Sequence, residues 1–326
     1  MTVLITGAAG FIGFHTSLAL IEQGLDVIGI DNFDPYYDVN LKKARFKHIQ
    51  SLPAKSKVQL FDMSIMDAEL PELCRNNEVK QVIHMAALPG VRGSIARPLE
   101  YLKINIDGHG YILELCRHNP QIERLIYASS SSVYGHQPQE KILQEEDVNN
   151  NPASLYAASK LSDELLTTAY ANLFDLHAIG LRFFTVYGPW GRPDMATWKF
   201  IESIMAGKPI RLFNNGNMRR DFTFVEDIVS GIVGAMQQRG SGHTVYNLGG
   251  GNSINLSDFV AVIEKALGKK AMLEKVAMQS GDVMFTHADI SKARRDLGFE
   301  ARTDIVQGIA KTVAWHKQQQ ALLTNV

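Results

Sequence analysis

Tyr156 and Lys160 stand four apart in "YAASK", at the start of a run whose apolar residues recur at helical spacing from about Ser154 to Phe174. That spacing puts a phenol and an ammonium on one face of a helix. A phenol titrates near ~10, too high for a base at neutral pH, and a neighbouring cation favours its phenolate. The pair could take a proton from an alcohol and give it back. Upstream, "RLIYASSSSVYG" from Arg124 runs an apolar strand pattern into four hydroxyls, Ser129 to Ser132. Composition alone would make such a run a linker. At the carboxyl end of a buried parallel strand the same hydroxyls would sit where such folds bind ligands.

"LITGAAGFIG" places Gly7, Gly10 and Gly13 at G-x-x-G-x-x-G spacing, directly after an apolar run and at the opening of a helical one. Glycines there permit a tight turn and let the backbone of a helix N-terminus approach a pyrophosphate. Asp31, at the end of the next apolar run, falls where a dinucleotide fold needs an acceptor for the adenosine ribose hydroxyls. Its charge would repel a 2'-phosphate, which favours NAD over NADP. Asp62, ending the third run, could accept from the adenine amino group.

These residues need a scaffold, and the chain supplies one. Short β-branched runs at 2–6, 26–30, 57–61, 81–86, 124–129 and 177–184 alternate with helical patterns, which indicates a Rossmann-type doubly wound parallel sheet covered on both faces. After about Pro189 the texture shifts to glycine- and asparagine-rich loops among shorter helices, such as Ser257 to Leu267, capped by Ser257 and ended by Gly268. The expected organisation is α/β: a cofactor domain over 1–188 and a smaller mixed α/β substrate domain over 189–326, with the chain crossing between them more than once.

The 326 residues are 45% hydrophobic and 21% charged, enough for a large core. A formal net charge of -1 provides no field to gather nucleic acid or an anionic membrane, so an anionic ligand must be held by local contacts. No apolar run reaches the ~18 residues of a membrane span, and no Cys/His cluster has zinc spacing. Cys74 and Cys116 fall in helical patterns and the chain enters a strand at once, so reduced thiols and a cytoplasmic location are expected.

The segments "TGAAGFIG", "DN", "HMAA", "SSSSVYG", "YAASK", "LRFFTVYGP" and "RRDFTFVEDI" together resemble the extended short-chain dehydrogenase/reductase family, the nucleotide-sugar epimerases, dehydratases and decarboxylases, over nearly the whole chain. The resemblance implies a triad of Ser130, Tyr156 and Lys160, with Ser132 a second hydroxyl close by. It implies tightly bound NAD, recycled within each turnover, touched by Gly7, Gly10, Phe11, Ile12, Gly13, Asp31, Asn32, Asp62, Met63, Ala86, Ala87, Asn105, Tyr156, Lys160 and Phe183. Family dehydratases carry an Asp-Glu pair where this chain has Ser131 and Ser132, and UDP-glucuronate decarboxylases a Glu at Ser132. A hydroxyl that does not ionise replaces neither, which favours oxidation and reduction alone.

On the substrate side the resemblance implies a UDP-sugar, with Phe213 near the uracil, Arg220 on the diphosphate and Asp282 on the uridine ribose. Arginine suits phosphate because its planar fork of donors keeps its charge. "FFTVYGPWGRPDMATWKF" is similar to the UDP-glucuronate 4-epimerases, which implies Thr185 and Arg192 facing the sugar C5 carboxylate, and "AALPGVRGSIARP" also looks like that subgroup, which implies Arg92 as a further substrate contact. Two departures, Gly93 where that subgroup commonly has Tyr and Ser280 where it often has Pro, leave pocket size open. The implied reaction is reversible C4 epimerisation of UDP-glucuronate to UDP-galacturonate through a 4-keto sugar, by a homodimer. Other UDP-hexose 4-epimerases, a UDP-glucuronate decarboxylase and a non-catalytic NAD-binding regulator remain as alternatives at this point.

Overall fold

A computed structural model of the chain describes residues 1–53, 56–137, 140–148, 150–278 and 283–324. Its centre is a seven-stranded parallel sheet. Strands β1 (Thr2–Thr6), β2 (Asp26–Asp31), β3 (Val58–Asp62), β4 (Val79–His84), β5 (Arg124–Ser130) and β6 (Ala178–Phe183) are joined at the edge by His243–Leu248, in the order β3-β2-β1-β4-β5-β6 and then that edge strand. The order reverses direction beside β1, the switch point at which such sheets open a ligand crevice. β1, β4, β5 and β6 are buried nearly throughout, which is why they read as unbroken apolar runs.

The edge strand lies beyond any single boundary at 188. "HTVYNL" shows neither an unbroken apolar run nor a regular alternation, and only its last three residues are buried, so its pattern carries little signal on its own. Helix Val225–Gln237, which precedes it, packs against helix Phe11–Glu22, so 225–248 belongs to the large sheet's layer. The chain leaves that layer at Thr185–Tyr187, which pairs with Arg219–Phe224, and leaves it again after Leu248 at Ser253–Asn255. These three short strands, the pair Pro209–Phe213 and Met272–Val276, and the helices packed on them form the smaller lobe. Its core includes Phe222 and Phe259, stacked at 3.9 Å.

One capping assignment changes. Helix Leu256–Leu267 is capped by Asn255, whose Oδ1 accepts the Ser257 N–H at 2.9 Å, so Ser257 is the second helical residue and supplies the donor. Gly268 ends the helix with a left-handed φ of 68°, which needs no side chain.

The long helix Leu155–Phe174 is held to β5 and β6 by a buried polar hub. Glu164 receives Arg182 from β6 through two bonds, Nε to Oε1 and Nη2 to Oε2, each 2.8 Å, and Ser129 of β5 through Oγ at 2.5 Å. Arg182 also donates to the Tyr134 hydroxyl and the Glu145 carbonyl. Removing one partner strands the other charge where water cannot reach it. Arg182→Met is therefore expected to cost about 3–5 kcal/mol, measured by urea unfolding, and Arg182→Met with Glu164→Gln less than the single change.

Candidate active site

A single cavity of ≈ 330 Å³ opens at the carboxyl ends of the parallel strands and joins three sets of residues. Its lining includes the glycine loop, Asp31 and Asn32; Met63, Ala86, Ala87, Ser129 to Ser132, Tyr156, Lys160 and Phe183; and Tyr36, Thr185, Arg192 and Met195. Most of the residues expected to meet cofactor and sugar thus share one space.

The glycine loop fits a dinucleotide for reasons visible in its backbone. Gly7 adopts φ of +67°, and a Cβ there would stand 2.7 Å from Ala86 N. A Cβ on Gly13 would lie 2.2 Å from the Gly7 carbonyl, so the helix could not close on the loop. Helix Phe11–Glu22 opens at Gly10 with no side-chain cap, and its first-turn residues Phe11, Ile12 and Gly13 line the cavity. Their N–H groups are left for an anion, as a pyrophosphate requires.

Asp31 is more heavily engaged than its sequence position suggests. Its Oδ2 accepts Ala9 N–H at 3.1 Å, its Oδ1 accepts Phe33 N–H at 2.8 Å, and Lys42 Nζ stands 3.8 Å from Oδ1. Burial holds its carboxyl above the usual range against these contacts. A second lone pair on each oxygen stays available for ribose hydroxyls. Lys42 partly offsets the charge expected to repel a 2'-phosphate, which leaves the carboxylate's open acceptor sites as the feature suited to ribose hydroxyls.

Two expected cofactor contacts lie outside the cavity lining. Asp62 is exposed at the end of β3, in register with Asp31. Asn105 is buried and its amide is spent on protein: it accepts Leu88 N–H at 2.8 Å and donates to the Leu88 carbonyl and Ser159 Oγ, each at 3.0 Å. It pins the loop after β4 and does not itself face the cavity.

The four serines divide their work. Ser129 locks to Glu164. Ser130 ends β5 and caps the short turn Ser131–Tyr134, accepting Ser132 N–H at 3.2 Å and donating to Ser132 Oγ at 3.0 Å. A linked pair of hydroxyls therefore enters the same cavity as Tyr156 and Lys160. Tyr156 packs edge-on to Tyr101, whose own hydroxyl donates to the Pro89 carbonyl at 2.6 Å. Gly93 explains itself here: a Cβ would lie 2.2 Å from the Tyr101 hydroxyl and 2.9 Å from Tyr36, so those tyrosines fill the space of a larger residue.

The substrate-side residues are partly assembled. Thr185 and Arg192 line the cavity. Arg192 Nε and Nη2 donate to the two oxygens of Asp194, at 3.0 and 2.6 Å, a bidentate pair beside the Tyr36 ring. Arg92 lies over the face of Phe213 at 4.7 Å and so joins the two lobes, while neither lines the cavity. Arg220, on the strand Arg219–Phe224, is also outside the lining and donates to the Arg219 carbonyl. Asp282 and Ser280 lie outside the described residues.

Arg45 and Asp194 carry weight that sequence reading did not assign. Arg45, fully buried, donates to the carbonyls of Ala9, Trp190 and Gly191 and to the Tyr37 hydroxyl, at 2.6–3.0 Å. It ties the glycine loop to the loop that presents Arg192. Its signal was the pairing of Lys42 and Arg45 three apart on one helix face, in a helix otherwise poor in apolar residues.

A model of the NAD dependent epimerase/dehydratase family matches residues 3–249. UDP-glucuronate 4-epimerase 4 of Arabidopsis thaliana is 42% identical over 334 residues, covering 97% of this chain and 75% of the relative. The crystal structure of UDP-glucuronic acid 4-epimerase from Bacillus cereus, in complex with UDP-glucuronic acid and NAD, superposes with a TM-score of 0.91 at 33% identity, covering 98% of this chain and 100% of that one. UDP-glucose 4-epimerase from Thermotoga maritima, solved with UDP-glucose, gives 0.88 at 27% identity over 98% of this chain and 100% of that one. With the glycine loop, the Tyr-Lys helix and the serine turn gathered in one cavity, the chain belongs to the NAD dependent epimerase/dehydratase family.

Proposed function

We propose that the protein interconverts UDP-glucuronate and UDP-galacturonate by epimerisation at C4. The observation that carries this is the single cavity in which the dinucleotide loop, the Ser130-Tyr156-Lys160 set and Arg192 with Thr185 all face the same space. The similarity to the Arabidopsis and Bacillus enzymes supports the choice of sugar. The positions that would need an ionising acid or base for elimination or decarboxylation hold Ser131 and Ser132 instead.

NAD, bound along the glycine loop with its ribose at Asp31, supplies the hydride acceptor and donor that turn the C4 alcohol into a ketone and back. Tyr156 takes the 4-hydroxyl proton and returns it, and Ser130 and Ser132 connect the sugar oxygen to that phenol. Lys160 favours the phenolate through its charge. Phe213 and Arg92 flank the uridine, Asp282 meets its ribose, and Arg220 holds the diphosphate while the sugar ring turns. Arg192 and Thr185 meet the C5 carboxylate and keep it near the plane of the C4 ketone, where loss of CO2 has poor orbital overlap.

A second reading, UDP-glucose 4-epimerase, is favoured by one feature. The fork of Arg192 is already filled by Asp194, so a neutral sugar would meet a neutral pair. Purified enzyme without added NAD, incubated separately with UDP-glucuronate and UDP-glucose and followed by proton NMR, separates the two. UDP-galacturonate from the first and no change in the second is the expected result; UDP-galactose from the second would move the assignment to a neutral sugar, and UDP-xylose would show that the serines do not prevent decarboxylation.

We also infer a homodimer. Leu165 and Leu173 of the long helix are 63% and 73% exposed, and Leu99 and Tyr111 on the elements packed against it 77% and 55%. A second copy packed on this helix would cover such side chains. Light scattering should give twice the 36.2 kDa chain mass, and Leu165→Glu should shift the protein toward monomer. Two free, buried thiols, Cys74 and Cys116, support a reducing, cytoplasmic setting.

A further inference from the structure

The long helix carries a charge that proton transfer does not use. Asp163 lies three residues beyond Lys160, and its Oδ2 accepts from Lys160 Nζ at 3.1 Å. The two side chains are 4% and 1% exposed. Asp163 Oδ1 is buried with no hydrogen-bond partner among the described residues. A carboxylate left half-satisfied in the interior is costly, so its retention calls for a reason outside packing.

The surroundings supply one. From β4, His84 bonds through Nδ1 to Thr6 Oγ1 at 2.7 Å; from helix Gly108–Arg117, His109 bonds through Nε2 to Thr167 Oγ1 at 2.8 Å, its ring 5.4 Å from that of His84. Burial pushes His84 down to about 3 and His109 well below its ordinary value, with Lys160 adding to both. Both stay neutral. From β5 the Tyr127 phenol is pushed well up by burial and is uncharged too. Glu164, the next residue on the helix, is bound to Arg182 and Ser129. Tyr156 itself lines the same cavity as Lys160. Asp163 is the one carboxylate in direct contact with the Lys160 ammonium among the described residues. Burial pushes the Asp163 carboxyl up to about 6 against the pull of Lys160, so the pair is ionic above that pH.

We propose that Asp163 is a positioning residue for the reaction: it keeps Lys160 in its ammonium form in a site too dry to sustain a lone charge, and anchors that ammonium one turn from Tyr156. A neutral amine there would leave the phenol without the cation that makes it a base. The inference rests on the Tyr156-Lys160 pair acting as proposed above, whichever UDP-hexose is the substrate.

The test is kcat/KM of the holoenzyme from about pH 6 to about pH 10 for wild type, Asp163→Asn and Asp163→Glu. Asp163→Asn should move the alkaline limb down by about one pH unit or more, and Asp163→Glu should bring it back toward wild type. A readout that needs no turnover comes from melting: Lys160→Met leaves the carboxylate buried alone, so Lys160→Met with Asp163→Asn should melt above Lys160→Met. An Asp163→Asn profile of wild-type shape, lowered uniformly, overturns the proposal. Should Asp163→Asn not fold, a double variant no more stable than Lys160→Met overturns it equally. Wild type inactive on every UDP-hexose overturns the function and this inference together, whereas active wild type with an unmoved Asp163→Asn profile overturns this inference alone.

Discussion

The structure hangs on a carboxylate held almost wholly out of water. Glu164 sits between Arg182 of β6 and Ser129 of β5, and its three bonds fix how the long helix lies across the two strands. A slip of either strand by one residue would turn Arg182 or Ser129 to the other face of the sheet and leave a buried charge unpaired. Apolar packing tolerates small shifts of this kind; a bidentate ion pair does not. Because Ser130 follows Ser129, and Tyr156 and Lys160 precede Glu164 on the same helix, the placement of the proposed proton-transfer set is inherited from that one hub. Arg45 does the same for the other half of the site, joining the glycine loop to the loop of Arg192 through backbone carbonyls.

A net charge of -1 leaves the protein without a long-range field, and the site is built accordingly. Its cations each come with a carboxylate: Lys42 with Asp31, Lys160 with Asp163, Arg192 with Asp194. Such pairs stabilise the fold little, since desolvation consumes most of the attraction. Their value lies in orientation, because a paired guanidinium or ammonium is already aimed when a ligand arrives and needs no reorganisation. The helix that opens at Gly10 adds to these pairs an uncapped N-terminus, whose N–H groups suit a pyrophosphate without any side-chain charge.

How much of this could be read from the chain follows the range of the forces involved. Strands β1 to β6, the glycine loop and the Tyr-Lys helix announce themselves because each is a local pattern of one period or one turn. The edge strand His243–Leu248 does not, being a short segment of irregular pattern whose strand character comes from pairing with β6. Asn105 reads as a cofactor contact, yet its amide is spent across 17 residues on Leu88 and across 54 on Ser159. Ser129 passes for one of four equivalent hydroxyls until Glu164, 35 residues on, is placed beside it. Partners this distant in sequence leave no periodicity, and only the fold brings them together.

The central claim is that this cavity removes a hydride from one sugar carbon and returns it to that same carbon, with Tyr156 handling only the hydroxyl proton. UDP-glucuronate deuterated at C4, converted in ordinary water and examined by NMR and mass spectrometry, tests it directly. UDP-galacturonate that retains the deuterium at C4 is the expected product. Epimerised product in which C4 carries hydrogen from solvent would contradict the account, because it would mean that the carbon-bound hydrogen leaves as a proton.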